Sequence, residues 1–265
     1  MAKSFDRVAD IYDETRRMPP DVLAQIVEQI TTVVDPAEGE VLEIGVGTGR
    51  IAIPLAQRGF RVVGVDVSEK MLCRLREKMA AAHLSVSVTR GDVTILPFAD
   101  ESFAAILAVH VFHLLDDVRT CVAEVRRVLK QGGCLLFSGE QRMQNYIQQV
   151  LSGQYGMKEG LNEIFAGAGI QLPNWGDVEH LVMQAVSELG GKASQLEPIE
   201  WDSEITCASI VDRIEGRVTS SLWNVPDETL RSLVEKARSL LEHYVGPPST
   251  VIRFRRRFDM FCARF

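Results

Sequence analysis

The chain has 265 residues, 46% of them hydrophobic and 25% charged, with 29 Lys and Arg against 36 Asp and Glu for a formal net charge of −7. These are the proportions of a folded globular protein long enough for a sizeable core, and they exclude a disordered, collagen-like or disulfide-framework chain. The acidic balance also argues against a nucleic-acid partner held by bulk charge.

The N-terminal stretch MAKSFDRVAD places acids too early and lacks the apolar run of a signal peptide. The longest uncharged apolar stretch, Phe103–Leu115, has 13 residues, and a membrane-spanning helix needs about 20. No membrane partner is expected. The five cysteines, Cys73, Cys121, Cys134, Cys207 and Cys262, contain no CxxC pair. That spacing predicts reduced thiols in a cytoplasm and neither a zinc site nor any other metal centre.

Apolar residues recur at helical spacing over 20–34, after Pro19 and Pro20. Val41–Ile44 is then a short apolar run that leads directly into GVGTG. Ile51–Arg58 reads as a helix, Phe60–Val65 as a buried strand, Glu69–Ala82 as a helix and Ser85–Arg90 as a strand. Phe103–Val109 is a further buried strand, Val118–Leu129 a helix, and Cys134–Ser138 a fifth strand after the Gly132–Gly133 turn. Alternating strands and helices with short connections predict an α/β fold: a doubly wound, mostly parallel sheet, with its ligand site at the carboxyl ends of the strands beside the switch point. After Ser138 the rhythm breaks into helical stretches, Arg142–Leu151, Leu161–Ala168, Val178–Leu189 and Asp227–Tyr244, and two strand-like ones, Pro198–Thr206 and Val251–Phe265. The expected organisation is a single domain over 1–265: an N-terminal helical segment (1–35), a cofactor-binding core (36–139), a mostly helical insertion after the fifth strand (140–248) and a final strand (249–265), giving seven strands. The basic run Arg253, Arg255, Arg256 and Arg257 alternates with aromatics as a strand face does; a phosphate or partner patch is its alternative reading.

The chemistry is concentrated in Glu43-Ile44-Gly45-Val46-Gly47-Thr48-Gly49-Arg50. Glycines between a strand and a helix let the backbone approach a ligand, and the helix that follows offers free N–H groups to an anion. A dinucleotide fingerprint would put its third glycine at position 50, which here is Arg50. Glu43, two residues before the first glycine, would repel a pyrophosphate and receive an ammonium. The motif therefore suits a zwitterion. Asp66 follows Gly49 by 17 residues, at the tip of the second strand, where an acid can accept from both ribose hydroxyls. Asp92, in Gly91-Asp92-Val93 after the third strand, can accept from an exocyclic amine. Amino acid, ribose and adenine in that order describe S-adenosylmethionine.

On these residues the chain resembles the class I S-adenosylmethionine-dependent methyltransferases, in particular the small-molecule branch that includes the ubiquinone/menaquinone C-methyltransferases. The resemblance matches Glu43, Gly45, Gly47 and Gly49 to the glycine motif, Asp66 to the ribose acid, Val67 and Met71 to adenine-side positions, and Gly91, Asp92 and Val93 to the next motif. Leu96–Phe103 resembles the family's lPFaDxSFD run, with Ala104 in place of its final Asp. Arg127–Gly133 resembles RvLkPGG, with Gln131 in place of Pro. Phe5–Asp13 resembles a segment that folds over the cofactor in relatives, which implies contacts from Tyr12 and Arg16. His110 is implied beside the cofactor. By their places in the chain His113 and Tyr146 read as substrate-side candidates, and Trp175, Trp201 and Trp223 as core or lid packing. The implied activity is methyl transfer to a small organic acceptor at an O, N or C atom by in-line displacement, which needs no metal and for which no catalytic residue is assigned. The protein is expected to be cytoplasmic, as a monomer or homodimer. Two other readings remain: a protein that binds S-adenosylmethionine without turnover, and an NAD-dependent oxidoreductase.

Overall fold

A computed structural model of the chain describes residues 5–139, 157–170 and 176–265. Tyr146, Trp175 and the predicted helix Arg142–Leu151 lie outside the described residues.

The chain opens with a short helical turn, α1 (Tyr12–Thr15), and a longer helix, α2 (Pro20–Val33), which Pro20 starts at a position where no N–H is needed. β1 (Val41–Ile44), α3 (Ala52–Gln57), β2 (Val62–Asp66), α4 (Glu69–Ala82), β3 (Ser87–Arg90), β4 (Phe103–Val109), α5 (Val118–Val128) and β5 (Leu129–Gly139) then alternate as expected. The helix starts have visible causes. Ser68 Oγ accepts from Met71 N at the start of α4, and Asp117 accepts from Thr120 N at the start of α5. The end of α4 is set by His83, which takes a left-handed φ of 52°.

Strands β3-β2-β1-β4-β5 are parallel and lie in that order, so the order reverses between β1 and β4. β5 begins before the Gly132–Gly133 turn, and the turn survives as a bulge. Phe103 faces Leu129 while Ala105 faces Cys134. Gly132 has φ +79° there, and a Cβ on Gly133 would stand 2.6 Å from the Ala104 carbonyl oxygen.

After β5 come α6 (Met157–Gly167), α7 (Gly176–Glu188), β6 (Lys192–Gln195), β7 (Ile199–Thr206), α8 (Cys207–Glu215), α9 (Asp227–Tyr244) and β8 (Val251–Arg264). β8 runs antiparallel to β5 and to β6, and β7 pairs with β8 off the main path. The sheet therefore has 8 strands, one more than the seven predicted. The extra strand is β6, whose Lys-Ala-Ser-Gln sequence lacks an alternating apolar face; its pairing to β8 is made by the backbone at the edge of the sheet. Helix α8 is likewise absent from the sequence reading, although Cys207, Ile210, Val211 and Ile214 are buried at helical spacing.

The chain forms two compact units. The first comprises Met1–Glu140, Trp175–Ile199 and Phe258–Phe265, and the second Gln141–Asn174 and Glu200–Arg257. The first unit buries Leu42, Ile44, Val65, Ile106, Leu135 and Phe137 from the strands against Val122 and Val125 of α5. Phe137 stacks on Phe261, with ring centroids 5.2 Å apart. The second unit has its own core, built from Phe165, Ile210, Val211, Ile214, Leu233 and Leu241 of its three described helices. On its strands, Arg253, Arg255 and Arg257 stand opposite Glu204, Asp202 and Glu200 at 3.4–4.0 Å, and Arg256 lies over the Trp201 ring at 5.4 Å. The arginine run is thus a strand face whose charges are answered across the pair. Trp223 packs by donating its indole N–H to the Arg217 carbonyl at 3.1 Å.

Candidate cofactor site

The switch point between β1 and β4 carries the glycine loop. Gly45, Gly47 and Gly49 have φ of +65°, +54° and +83°, a region that costs an L side chain about 1–2 kcal/mol. Two of the three are also needed for packing. A Cβ on Gly45 would stand 2.5 Å from Val111 Cγ2, and one on Gly49 would stand 2.3 Å from Leu75 Cδ1. Gly47 differs, because a Cβ there would find no atom nearer than the Gly45 oxygen at 3.9 Å. The loop is therefore uncrowded at its middle glycine.

Glu43, one residue before the end of β1 and two before Gly45, has only 3% of its surface exposed. Burial pushes its carboxyl up to about 8, against the pull of Arg50 and a backbone bond from Ala52. Its Oε2 has no hydrogen-bond partner among the described residues. Asp66, at the end of β2, is tied to the same loop. Its Oδ2 accepts from Gly47 N at 2.9 Å, and its Oδ1 accepts from Ser68 N at 2.8 Å. Burial raises the Asp66 carboxyl although these bonds favour the charged form. Gly91 N donates to the Asp66 carbonyl at 3.0 Å, so the third strand end is fastened to the second. Asp92 Oδ1 accepts from the Thr94 N–H and hydroxyl, at 2.9 and 2.7 Å.

The remaining predicted residues take varied places. Met71 is buried, with its N–H on Ser68 Oγ at 3.2 Å. Val67 is half-buried and its carbonyl accepts from Arg90. Val93 is buried in the first unit's core. His110 closes β4 with a left-handed φ of 60°, donates its N–H to Ser138 Oγ at 3.2 Å, and sets its ring edge-on to Phe258 at 5.9 Å. His113 is half-buried on the turn Phe112–Leu114. Tyr12 stands edge-on to Phe5 at 5.9 Å, and the Arg16 carbonyl accepts from Arg50 Nη1 at 3.1 Å.

Sequence reasoning missed a set of residues that fasten the N-terminal segment to this site. Asp13 Oδ1 accepts from the Thr48 hydroxyl at 2.6 Å, and its Oδ2 lies 2.5 Å from Lys78 Nζ. Lys78 also donates to the Thr48 carbonyl at 3.1 Å. Asp6 Oδ1 accepts from Ser68 Oγ at 2.5 Å, and Asp10 pairs with Arg74. Acids at 6, 10 and 13 were visible in the chain; their partners, 35 to 64 residues away, were not.

The sheet order and the glycine loop define a Rossmann-like methyltransferase fold. Residues 42–137 match the methyltransferase domain family. A demethylmenaquinone methyltransferase of Thermobifida fusca is 36% identical over 139 residues, 51% of this chain and 59% of that one. The chain spans about three fifths of the length of such curated relatives. Among solved structures, YcgJ of Bacillus subtilis superimposes with a TM-score of 0.59 at 19% identity, covering 92% of this chain and 99% of that one. The phosphoethanolamine N-methyltransferase 2 of Haemonchus contortus, solved with phosphomonomethylethanolamine and S-adenosylhomocysteine, gives 0.51 at 19% identity, covering 98% and 57%. S-adenosylmethionine is the cofactor of this class, and the residues present fit it. Neighbouring atoms do not crowd the backbone at Gly47, where a Cβ would make only an ordinary contact. The unpartnered Glu43 oxygen can receive an ammonium, and each Asp66 oxygen keeps a lone pair for a ribose hydroxyl.

Proposed function

We propose that the chain transfers a methyl group from S-adenosylmethionine to an O, N or C atom of a small organic acceptor by in-line displacement. The observation that carries this reading is the hydrogen bond from Gly47 N to Asp66, which ties the uncrowded middle glycine to the acid at the end of β2, with the unpartnered Glu43 oxygen in β1 before the same loop. When bound, the cofactor supplies a methyl group already activated on a sulfonium. The protein's residues have positional work: Glu43 holds the ammonium, Asp66 the ribose, and Asp92 with Val67 and Met71 the adenine side. Tyr12, Arg16 and His110 close the site against water, and orientation of this kind lowers the barrier without a general base. We assign acceptor choice to residues 140–248 together with His113 and Tyr146, because the family match ends at residue 137. The five cysteines, all free, support a cytoplasmic protein.

The NAD reading is disfavoured by Arg50, which stands where a dinucleotide fingerprint has its third glycine. Titration calorimetry with S-adenosylmethionine and with NAD, on wild type and Asp66→Ala, tests the cofactor. The expected result is binding of S-adenosylmethionine by wild type, weakened at least tenfold in the variant; binding of NAD alone would overturn the reading. Incubation with methyl-labelled cofactor and fractionated small-molecule extracts then tests turnover. Retention of cofactor with no labelled product would favour binding without catalysis.

A further inference from the structure

We propose that Asp13, Lys78 and Thr48 form a latch that fastens the N-terminal segment onto the glycine loop and sets how long the cofactor stays bound. The inference rests on the cofactor reading above and adds residues to it. The three groups make a closed triangle: the Asp13 carboxylate meets the Thr48 hydroxyl at 2.6 Å and Lys78 at 2.5 Å, and Lys78 meets the Thr48 carbonyl at 3.1 Å. Each corner belongs to a different piece of the chain: the N-terminal segment, the loop between Gly47 and Gly49, and α4.

The corners differ in burial. Thr48 is 1% exposed, so its hydroxyl has a fixed position. The Asp13 and Lys78 side chains are 50% and 37% exposed. A latch of this kind is anchored at the loop and releasable at the segment. Lys78 and Thr48 hold the Asp13 carboxyl below its ordinary value although burial opposes them. A second fastening lies beside the ribose acid. Ser68 gives its N–H to Asp66 at 2.8 Å and its hydroxyl to Asp6 at 2.5 Å. The segment is therefore bonded next to both Gly47 and Asp66. A cofactor held by those two residues leaves only when this fastening opens, so Asp13 and Lys78 act as positioning residues and not as catalytic ones.

The test is the rate of S-adenosylmethionine release, measured by chase with unlabelled cofactor, for wild type, Asp13→Asn, Lys78→Met and the double variant. A half-exposed ion pair of this size predicts release about fivefold faster in each single variant, and no faster in the double variant, since the groups act together. Salt raised to about 0.5 M should speed wild-type release and leave Lys78→Met unchanged, because exposed charges are screened. Limited trypsin digestion at Arg7, Arg16 and Arg17 should be slowed by cofactor in wild type and much less in the variants. Wild-type release rates in folded Asp13→Asn, whose side chain is half in solvent, would overturn the latch and leave the cofactor reading standing. Failure of wild type to bind S-adenosylmethionine would overturn both. If Lys78→Met does not fold, Thr48→Val supplies the second arm, and Thr48→Ser, which keeps the hydroxyl, should restore wild-type release.

Discussion

Glu43 carries opposite demands from stability and from the ammonium contact proposed for it. Its ordinary value of 4.5 holds in the unfolded chain, whereas burial raises it to about 8 in the folded one. Between those values the unfolded state is charged and the folded state is not. Stability contributed by the neutral form is fully present below 4.5 and is lost as pH rises through about 8. Glu43→Gln removes this dependence. Relative to wild type, the variant should be more stable at pH 8 than at pH 5 by on the order of a few kcal/mol, as read by thermal unfolding of both proteins at both values. It should also bind S-adenosylmethionine more weakly, because the ammonium we propose at this site would draw the Glu43 carboxyl into its charged form and an amide cannot follow. The glycines make a complementary pair of predictions. Gly49→Ala drives a methyl to 2.3 Å from Leu75 and should destabilise the fold strongly. Gly47→Ala meets only the Gly45 oxygen at 3.9 Å, so it should cost about 1–2 kcal/mol of backbone strain and remain folded while losing cofactor affinity. Denaturant unfolding and calorimetry on the two variants separate packing from ligand space.

The recognisable segments Leu96–Phe103 and Arg127–Gly133 have their physical cause in one side chain. Arg127 donates to the carbonyls of Leu96 and Phe98 and to Asp100, and it pairs bidentately with Glu124, whose Oε2 also accepts from Leu96 N. The guanidinium ties the approach to β4 onto the end of α5, and its acidic partners hold it more firmly charged than an isolated Arg. Arg127→Met leaves two carbonyls without their donor and should cost about 2 kcal/mol. Arg127→Lys should rescue little, since an ammonium cannot span the same fork; chemical denaturation of both variants, with hydrogen exchange at residues 95–100, checks this. This scale is also where the sequence was most legible. α4, β4 and α9 were found with the bounds Glu69–Ala82, Phe103–Val109 and Asp227–Tyr244, because each has a clear apolar period or run and a cap or turn at its ends. β6 was invisible because its reason for being a strand is the edge offered by β8. α8 was hidden because Cys207 continues the strand pattern of Ile199–Thr206 before the helical period begins. The glycine loop was legible as a local pattern, whereas the Asp13 and Asp6 bonds depend on a fold that brings distant residues together.

At the scale of the whole chain, every residue assigned to the cofactor lies within Met1–Glu140, inside the first compact unit. The second unit has a separate apolar core in which Ile214 is fully buried and Leu233 nearly so. Two cores imply that ligand linkage and packing defects can be assigned independently. S-adenosylmethionine at about 100 times its Kd should stabilise the first unit by about 2.7 kcal/mol, since ligand bound only to the folded state shifts unfolding by mass action. Hydrogen exchange should slow at β1, the glycine loop and the start of α4. Ile214→Ala removes a fully buried side chain and should weaken the second unit by about 2–5 kcal/mol, with faster exchange in α8 and α9. Calorimetric affinity for S-adenosylmethionine should stay at the wild-type value in that variant. If Ile214→Ala instead lowered cofactor affinity in step with stability, the two cores would unfold as one cooperative unit, and the assignment of cofactor binding to the first unit alone would fail.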